Sequence, residues 1–189
     1  MINVYEKCPI FESDAYLLRL VQEEDIDDLL EVYSDKNALP FFNSDNCHGD
    51  NFYYPTRERM QEAMAFWITS YEKRWFVRLT IIDKSAKKAI GTIELFHRDA
   101  DDDFNHVGVL RLDVRSDCEK EEILCEIISL LIPSAFELFY CEEIITKAPI
   151  YAVERISAIK SLGFIKSDRL LGGTGEGHVY DGYWVLKKI

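Results

Sequence analysis

The sequence lacks a long apolar run. No stretch approaches about 18 apolar residues, the length at which a helix can cross a bilayer. Residues 1–16 also lack the charged and apolar segments that direct a chain to secretion. Together these absences predict a cytoplasmic protein with no membrane partner.

Paired cysteines and metal-ligand motifs are missing as well. The chain has 5 cysteines, an odd number, and no C-x-x-C pair, so we expect free thiols. The 4 histidines are scattered along the chain without the spacing of a metal site. The sequence therefore predicts no bound metal.

Basic residues are fewer than acidic ones. The chain has 22 Lys and Arg residues against 34 Asp and Glu residues, which gives a formal net charge of −12. Binding to nucleic acid or to anionic lipid requires a basic surface, so both classes of partner are excluded. The acidic balance instead favours, by electrostatic steering, a cationic partner.

What the sequence does contain is enough apolar material for one core. Hydrophobic residues make up 48% of the 189 residues, and 11 Phe, 10 Tyr and 3 Trp are among them. There is no internal repeat, low-complexity tract or Pro/Ser-rich linker. We therefore expect one domain that spans residues 1–189.

Hydrophobic periodicity predicts strands and helices in the order β-α-α-β-β-β-α-β-α-β-β. The predicted strands are 15–21, 76–82, 90–96, 107–114, 143–149, 164–170 and 178–187. The predicted helices are 24–34, one that begins at Thr56 with a capping box, 119–139 and 152–162. Helices interleaved with a central hairpin predict an α/β fold (α+β, with a mixed sheet) in which helices flank a partly antiparallel and partly parallel sheet.

This order and several segments resemble those of a known family. LLRLVQEEDIDDLLEVYSD is similar to the first strand and helix of ribosomal-protein N-terminal acetyltransferases. AIGTIELF, the stretch from Val107 to Phe139, and ERISAIKSLGF resemble the third strand, the fourth strand with its cofactor-binding helix, and the closing helix. From about Tyr16 to Leu186 the chain resembles the GNAT superfamily of N-acyltransferases. The resemblance implies the GNAT-like acyl-CoA N-acyltransferase fold. It also implies acetyl transfer from acetyl-CoA to a primary amine on a small molecule or a peptide N-terminus.

The resemblance places the acetyl-CoA site where the fourth strand meets the long helix. Family members present backbone N–H groups to the pyrophosphate in an [R/Q]-x-x-G-x-[G/A] loop at the helix N-terminus. Here the two glycine positions hold Lys120 and Glu122, and Glu119 and Glu121 add negative charge. The residues implied for cofactor binding are Val114, Arg115, Lys120 and Arg155.

These departures leave an alternative open. The position of the family's tyrosine, which protonates the leaving thiolate, holds Ile159. The alternative is a GNAT-fold protein that has lost CoA binding and serves as a binding or regulatory module. A further alternative is an acyltransferase that uses another donor or holds CoA differently.

Direct attack of an amine on a thioester requires a base and a donor that polarises the carbonyl. Glu94 is the first candidate base, because Ile93 and Leu95 face the other side of its strand. The alternative for Glu94 is an exposed strand glutamate. Asp113 is the second candidate, with a loop cap as its alternative. The backbone N–H of Val114 would polarise the carbonyl.

Residues 36–54 predict a long loop whose second half reads NSDNCHGDNFYY. The resemblance places one wall of the acceptor pocket in this loop. Cys47, His48 and Tyr53 are therefore candidates to contact the substrate, and the alternative is an ordered turn without a ligand. The sequence leaves open both the acceptor and the oligomeric state, including a homodimer.

Overall fold

The structure is a computed structural model that describes residues 3–174 and 177–188. Its strands are β1 (Phe11–Glu12), β2 (Tyr16–Leu20), β3 (Val77–Asp83), β4 (Lys88–Arg98), β5 (Val107–Val114), β6 (Glu143–Lys147), β7 (Ile165–Lys166), β8 (Leu171–Gly172), β9 (Val179–Tyr180) and β10 (Tyr183–Lys187). Its α-helices are α1 (Ile26–Tyr33), α2 (Arg57–Glu72), α3 (Glu121–Leu138) and α4 (Val153–Ser161).

The main sheet has the order β1-β2-β3-β4-β5-β6-β10-β7. Its neighbours are antiparallel except for β5 and β6, which run parallel. That parallel pairing covers Gly108 to Leu110, whereas β5 continues to Val114. The mixed α/β fold class predicted from the sequence is confirmed.

Side-chain alternation gives the two faces of the sheet different partners. On one face the apolar residues of β3, β4 and β5, such as Leu79, Ile93 and Leu112, pack with α3 and α4 in the largest core cluster. On the other face α1 and α2 form a second cluster that includes Leu29 and Trp67. The polar side chains of β3, β4 and β5 lie on this second face, and they form the site described below.

The predicted helix starts and stops are largely confirmed. The side chain of Thr56 accepts a hydrogen bond from the Arg59 backbone N–H at 3.2 Å and caps α2, as the capping box predicts. Gly163 follows α4 with φ of +91°, the left-handed geometry that stops a helix. The 36–54 loop contains one short 3-10 helix, Leu39–Phe41.

The two last predicted strands are wrong in their extent. Four short strands replace them, and β8 and β9 form a separate two-stranded sheet. Gly182 has a φ of +80° and ends the extended conformation between β9 and β10. Hydrophobic periodicity does not reveal such a turn. The glycines of the segment GGTGEG, Gly172–Gly177, also predict a flexible hairpin tip, and residues 175 and 176 of this segment lie outside the described residues.

Among the described residues, no helix has both the length and the apolar character needed to span a bilayer.

Candidate functional site

A cavity of about 490 Å³ lies between the α1–α2 face of the sheet and the 43–54 loop. Its volume falls within the range of small-molecule sites, roughly 300–1,000 Å³. Its aromatic walls are Phe52, Tyr54, Phe66, Trp67, Trp75, Phe76, Phe96 and Tyr183. Its charged lining residues are Asp45, Asp50, Arg59, Arg78, Glu94, Arg98 and Arg111.

The 43–54 loop is shaped by short-range hydrogen bonds from side chains to the backbone. The carboxylate of Asp50 accepts from the backbone N–H of Phe52 at 2.8 Å, and the amide oxygen of Asn43 accepts from that of Asp45 at 3.1 Å. Phe52 and Tyr54 are buried and line the cavity. Arg59 of α2 donates to Asp50 at 2.7 Å and places its guanidinium 4.6 Å from the centre of the Tyr54 ring. The loop is thereby tied to α2.

The floor of the cavity is a cluster of three charged side chains, the buried Arg78 and Glu94 and the partly buried Arg111, here called the floor cluster. Arg78 donates from Nε (3.1 Å) and from one terminal nitrogen (2.5 Å) to Oε2 of Glu94. Arg111 donates to Oε1 of Glu94 at 2.8 Å. Burial alone raises the pKa of Glu94, but the two guanidinium groups outweigh it and lower that pKa below its usual value. Glu94 is therefore held ionised and is a weak proton acceptor.

Asp113 lies beside the floor cluster in a different environment. Its Oδ2 accepts from the hydroxyl of Tyr33 at 3.0 Å and lies 3.4 Å from a terminal nitrogen of Arg78. Among the described residues, Oδ1 of Asp113 has no hydrogen-bond partner. Burial raises the pKa of Asp113, and the attraction of Arg78 only partly opposes this effect. The two predicted bases thus lie close together, with pKa values shifted in opposite directions.

Asp45 connects the 43–54 loop to the C-terminal half of the sheet. Its Oδ2 accepts from Lys147 at 2.7 Å and from the hydroxyl of Tyr183 at 2.9 Å. Its backbone carbonyl accepts from Arg111 at 2.7 Å. One loop residue therefore joins β5, β6 and β10 at the cavity.

The predicted substrate-contacting residues divide between the cavity and the surface around it. Cys47 and His48 line the cavity, and burial raises the pKa of the Cys47 thiol to about 11. Phe52 and Tyr54, rather than Tyr53, supply the aromatic lining from this part of the loop. The alternative of an exposed strand glutamate is wrong for Glu94, because its side chain is 1% exposed.

The floor arginines were missed by the sequence reasoning. Arg78 and Arg111 stand in the segments VRLT and LRLD, each between apolar residues of a strand. An arginine at such a position is a detectable signal, because a long cation on a covered sheet face requires a buried partner. Tyr183 and Asp45 gave no comparable signal.

The predicted cofactor residues lie elsewhere, at the N-terminus of α3. The backbone N–H of Glu121, in the first turn, donates to the carboxylate of Glu154 from α4 at 2.8 Å. Arg115 pairs with Asp117 at 2.7 Å and lies 3.4 Å from Glu31. Lys120 is the exposed N-cap residue of α3. The carboxylate of Glu154 therefore accepts the hydrogen bond that the Glu121 N–H would otherwise offer to a phosphate.

Arg155 is buried under the same junction. It donates to both carboxylate oxygens of Glu119 at 2.7 Å and to the backbone carbonyl of Leu112 at 2.7 Å. Leu112 belongs to the part of β5 beyond its pairing with β6. We call Glu119, Glu154 and Arg155, with their contacts to α3 and β5, the helix clamp.

The helix clamp does not fit an acetyl-CoA pyrophosphate at this helix end. Glu119, Glu121, Glu122 and Glu154 surround the first turn of α3, where they would repel a diphosphate. Arg155 is 3% exposed and already donates to both carboxylate oxygens of Glu119 and to Leu112, so it presents no accessible bidentate face to a phosphate.

Comparisons with known proteins address the family. No curated protein matches this chain. Among solved structures, the ribosomal-protein-S5-alanine acetyltransferase from Vibrio fischeri superposes with a TM-score of 0.69 at 17% identity, covering 96% of each chain. A GNAT acetyltransferase from Bacillus anthracis gives 0.68 at 11% identity, covering 95% of this chain and 98% of its own. Spermidine N-acetyltransferase from Vibrio cholerae, solved with CoA and spermine, gives 0.60 at 12% identity, covering 92% and 93%. The model of the acetyltransferase (GNAT) domain matches residues 16–165, and the chain therefore belongs to the GNAT acetyltransferase family.

Proposed function

We propose that this protein binds a small molecule in the cavity on the α1–α2 face, and that it does not hold acetyl-CoA in the manner of its family. The observation that carries the proposal is the contrast between an open cavity with a charged floor and a helix N-terminus that is closed by the protein's own carboxylates. Aromatic walls with a few buried polar groups are the usual composition of a ligand pocket.

The charges of the cavity floor favour a ligand with an acceptor or anionic group. Arg78 and Arg111 both donate to Glu94, and Arg78 also lies 3.4 Å from Asp113, whose pKa is raised by burial. Among the described residues, Nε of Arg111 has no hydrogen-bond partner. Because the walls are aromatic, the body of the ligand is flat or apolar. The cavity is therefore rich in arginine although the whole chain has a formal net charge of −12.

The experiment is a thermal-shift screen of small carboxylates and related polar aromatics, followed by calorimetry on each hit, with acetyl-CoA included up to millimolar concentration. A ligand at 100 times its Kd adds about 2.7 kcal/mol, which raises Tm by roughly 5–10 °C for a chain of this size. Arg111→Met removes a floor donor, and Arg115→Met is the matched control, since Arg115 is not a lining residue.

Hits that lose at least tenfold in affinity in Arg111→Met and keep it in Arg115→Met support the cavity proposal. Hits that bind both variants equally contradict it, because the floor then plays no part. Micromolar binding of acetyl-CoA to the unaltered protein contradicts the second half of the proposal.

Family membership favours a second candidate function, N-acetyl transfer to a small amine or a peptide N-terminus held in the same cavity. The neighbours named for ribosomal protein S5 alanine and for spermidine supply the acceptor panel: an alanine-terminated peptide and polyamines. Glu94 is then the candidate base that lines the cavity, with a pKa lowered by Arg78 and Arg111, whereas Asp113, whose pKa burial raises, is not a lining residue. Acceptor-dependent release of CoA thiol, abolished in Glu94→Gln and retained in Arg57→Met, whose exposed residue lies outside the cavity lining, would establish this function over binding alone.

A further inference from the structure

The turn between β4 and β5 gathers three metal-ligating side chains away from the cavity. Nε2 of His97 and Nδ1 of His106 lie 2.9 Å and 2.5 Å from the same oxygen, Oδ1 of Asp99. The three ligand atoms all lie within 4.8 Å of one another. The hairpin thus brings together residues whose spacing along the chain predicts no metal site.

The hydrogen bond on the other side of the His97 ring fixes which nitrogen carries the proton. Nδ1 of His97 lies 2.8 Å from the backbone carbonyl of Phe139, at the C-terminus of α3. A carbonyl oxygen only accepts, so Nδ1 is the donor and Nε2 presents its lone pair in the neutral ring. That lone pair points at a carboxylate oxygen, which also only accepts. Both atoms are electron-pair donors of the kind that ligate a transition-metal ion.

The same arrangement is typical of metal-binding histidines. A ligating imidazole usually donates its second N–H to a backbone carbonyl or a carboxylate, which orients the ring. Two imidazole nitrogens and one carboxylate oxygen form a common ligand set for Zn²⁺, with bonds of about 2.0–2.2 Å and a fourth position left for water. Moving the ligand atoms to roughly 3.3 Å apart, as tetrahedral bonds of that length require, is a small adjustment from the present distances.

We propose that His97, Asp99 and His106 bind a divalent transition-metal ion such as Zn²⁺ at the β4–β5 turn. The ligands are accessible, since the side chains of Asp99 and His106 are 66% and 71% exposed. The neighbouring acidic residues Asp101 and Asp103 attract a cation to the turn, whereas Asp102 is paired with Arg98.

A metal ion at this turn would also hold one wall of the cavity. Arg98, the next residue after His97, lines the cavity and is paired with Asp102 in the turn. Asp102 in turn accepts from the backbone N–H of Gly172 at 2.6 Å. The bound ion would cross-link the two ends of the turn and so restrict the position of Arg98.

The test is calorimetric titration of Zn²⁺ into the chelator-treated full chain at pH 7.5, with Co²⁺ absorption to identify the ligand atoms. The variants are His97→Ala, His106→Ala and Asp99→Asn. The matched control is His178→Ala, which removes a histidine outside the cluster. Circular dichroism of each variant checks that it is folded. Asp99→Asn is the most conservative of the three, because asparagine has nearly the same shape as aspartate and lacks its charge.

We expect one Zn²⁺ per chain, a spectrum of nitrogen and oxygen ligands without a cobalt–thiolate band, and a loss of at least tenfold in affinity in each cluster variant but not in His178→Ala. Absence of binding would overturn the proposal. A thiolate band, or an affinity unchanged in His97→Ala and His106→Ala, would also overturn it, because one of the 5 cysteines would then be the ligand.

Discussion

The floor cluster and the helix clamp each contain a buried arginine paired with a buried glutamate, Arg78 with Glu94 and Arg155 with Glu119, yet only the floor cluster lines the cavity. In the floor cluster, Arg78 of β3 and Arg111 of β5 both donate to Glu94 of β4, the strand between them. Aromatic residues of the 43–54 loop and of α2 line the cavity above these three side chains. In the helix clamp, Arg155 uses three donors on Glu119 and Leu112 and closes the space between α4 and β5. Arg78 and Arg155 are both engaged internally, Arg78 also with the hydroxyls of Tyr33 and Thr92. The difference lies in Arg111, which lines the cavity and whose Nε has no hydrogen-bond partner among the described residues.

The largest effect that tests this comparison is expected from Arg78→Met. Glu94 would remain buried with one guanidinium partner instead of two, and stranding a buried charge costs about 3–5 kcal/mol of unfolding free energy. Urea denaturation measures it. Arg57→Met is the matched control, because the Arg57–Asp27 pair is exposed and should contribute less than about 1 kcal/mol. Equal losses in the two variants would show that the floor cluster is not a buried ionic network.

The next effect concerns the helix clamp. Arg155→Met should destabilise the protein by about 3 kcal/mol, because Glu119 would lose its only salt-bridge partner among the described residues. The double variant Arg155→Met, Glu119→Leu should recover most of that loss, since an apolar pair of similar volume replaces the ion pair. Denaturation midpoints of the two variants give the comparison. A double variant that is less stable than the single one would mean that the contact with Leu112, rather than the ion pair, carries the clamp.

A smaller effect is expected in the pH dependence of the two neighbouring carboxylates. The pKa of Glu94 is lower in the folded protein than in the unfolded chain, where it is about 4.3. Ionised Glu94 therefore adds to the free energy of unfolding above that unfolded value, and this stabilisation is lost as the pH falls through the folded-state pKa. The folded-state pKa of Asp113 is raised, so ionisation of Asp113 weakens the fold as the pH rises above about 3.9. Between pH 3 and 7, Glu94→Gln should lose acid sensitivity, whereas Asp113→Asn should lose the decline toward neutral pH.

Unfolding free energies of both variants and the unaltered protein at several pH values measure these slopes. The result to compare is the sign of the change, relative to the unaltered protein, in the slope of unfolding free energy against pH. The absolute stability of either variant is less informative, because it also reflects lost hydrogen bonds. Slopes of the same sign in the two variants would contradict the opposite environments of the two carboxylates.

The smallest effect is expected from Glu154→Gln. Its contact with the Glu121 N–H lies at the surface, and the amide oxygen of glutamine keeps the hydrogen bond while the charge at the helix N-terminus is lost. A loss of about 0.5 kcal/mol is expected, measured by thermal unfolding at low salt. A loss of several kcal/mol would place Glu154, and not Arg155, at the centre of the helix clamp.

The sequence predicted the architecture well because the architecture depends on periodicity and caps. The alternation in GTIELF placed Glu94 on the face opposite Ile93 and Leu95, and the capping box placed the start of α2 at Thr56. The last quarter of the chain was predicted less well. Its strands are two to five residues long, too short for a periodic signal, and Gly182 divides them.

The candidate site was predicted only in part. Asp113 and Glu94 were named, but their partner Arg78 was not, since the contact joins residues 16 and 35 positions apart across strands. Cys47 and His48 were named with the loop that carries them, whereas the choice of Phe52 and Tyr54 over Tyr53 depends on which side chains the loop turns inward.

The sequence by itself determined the order of the longer elements, the apolar face of the central strands, and the family, because these properties depend on local spacing and residue type. Only the tertiary structure decided which charges meet. Glu119 and Arg155 are 36 residues apart, and Asp45 and Tyr183 are 138 residues apart, yet both pairs are in hydrogen-bond contact. Whether a buried charge is neutralised internally or left facing a cavity depends on that packing, because the energy of a charge in a poorly polar interior is set by its nearest partners.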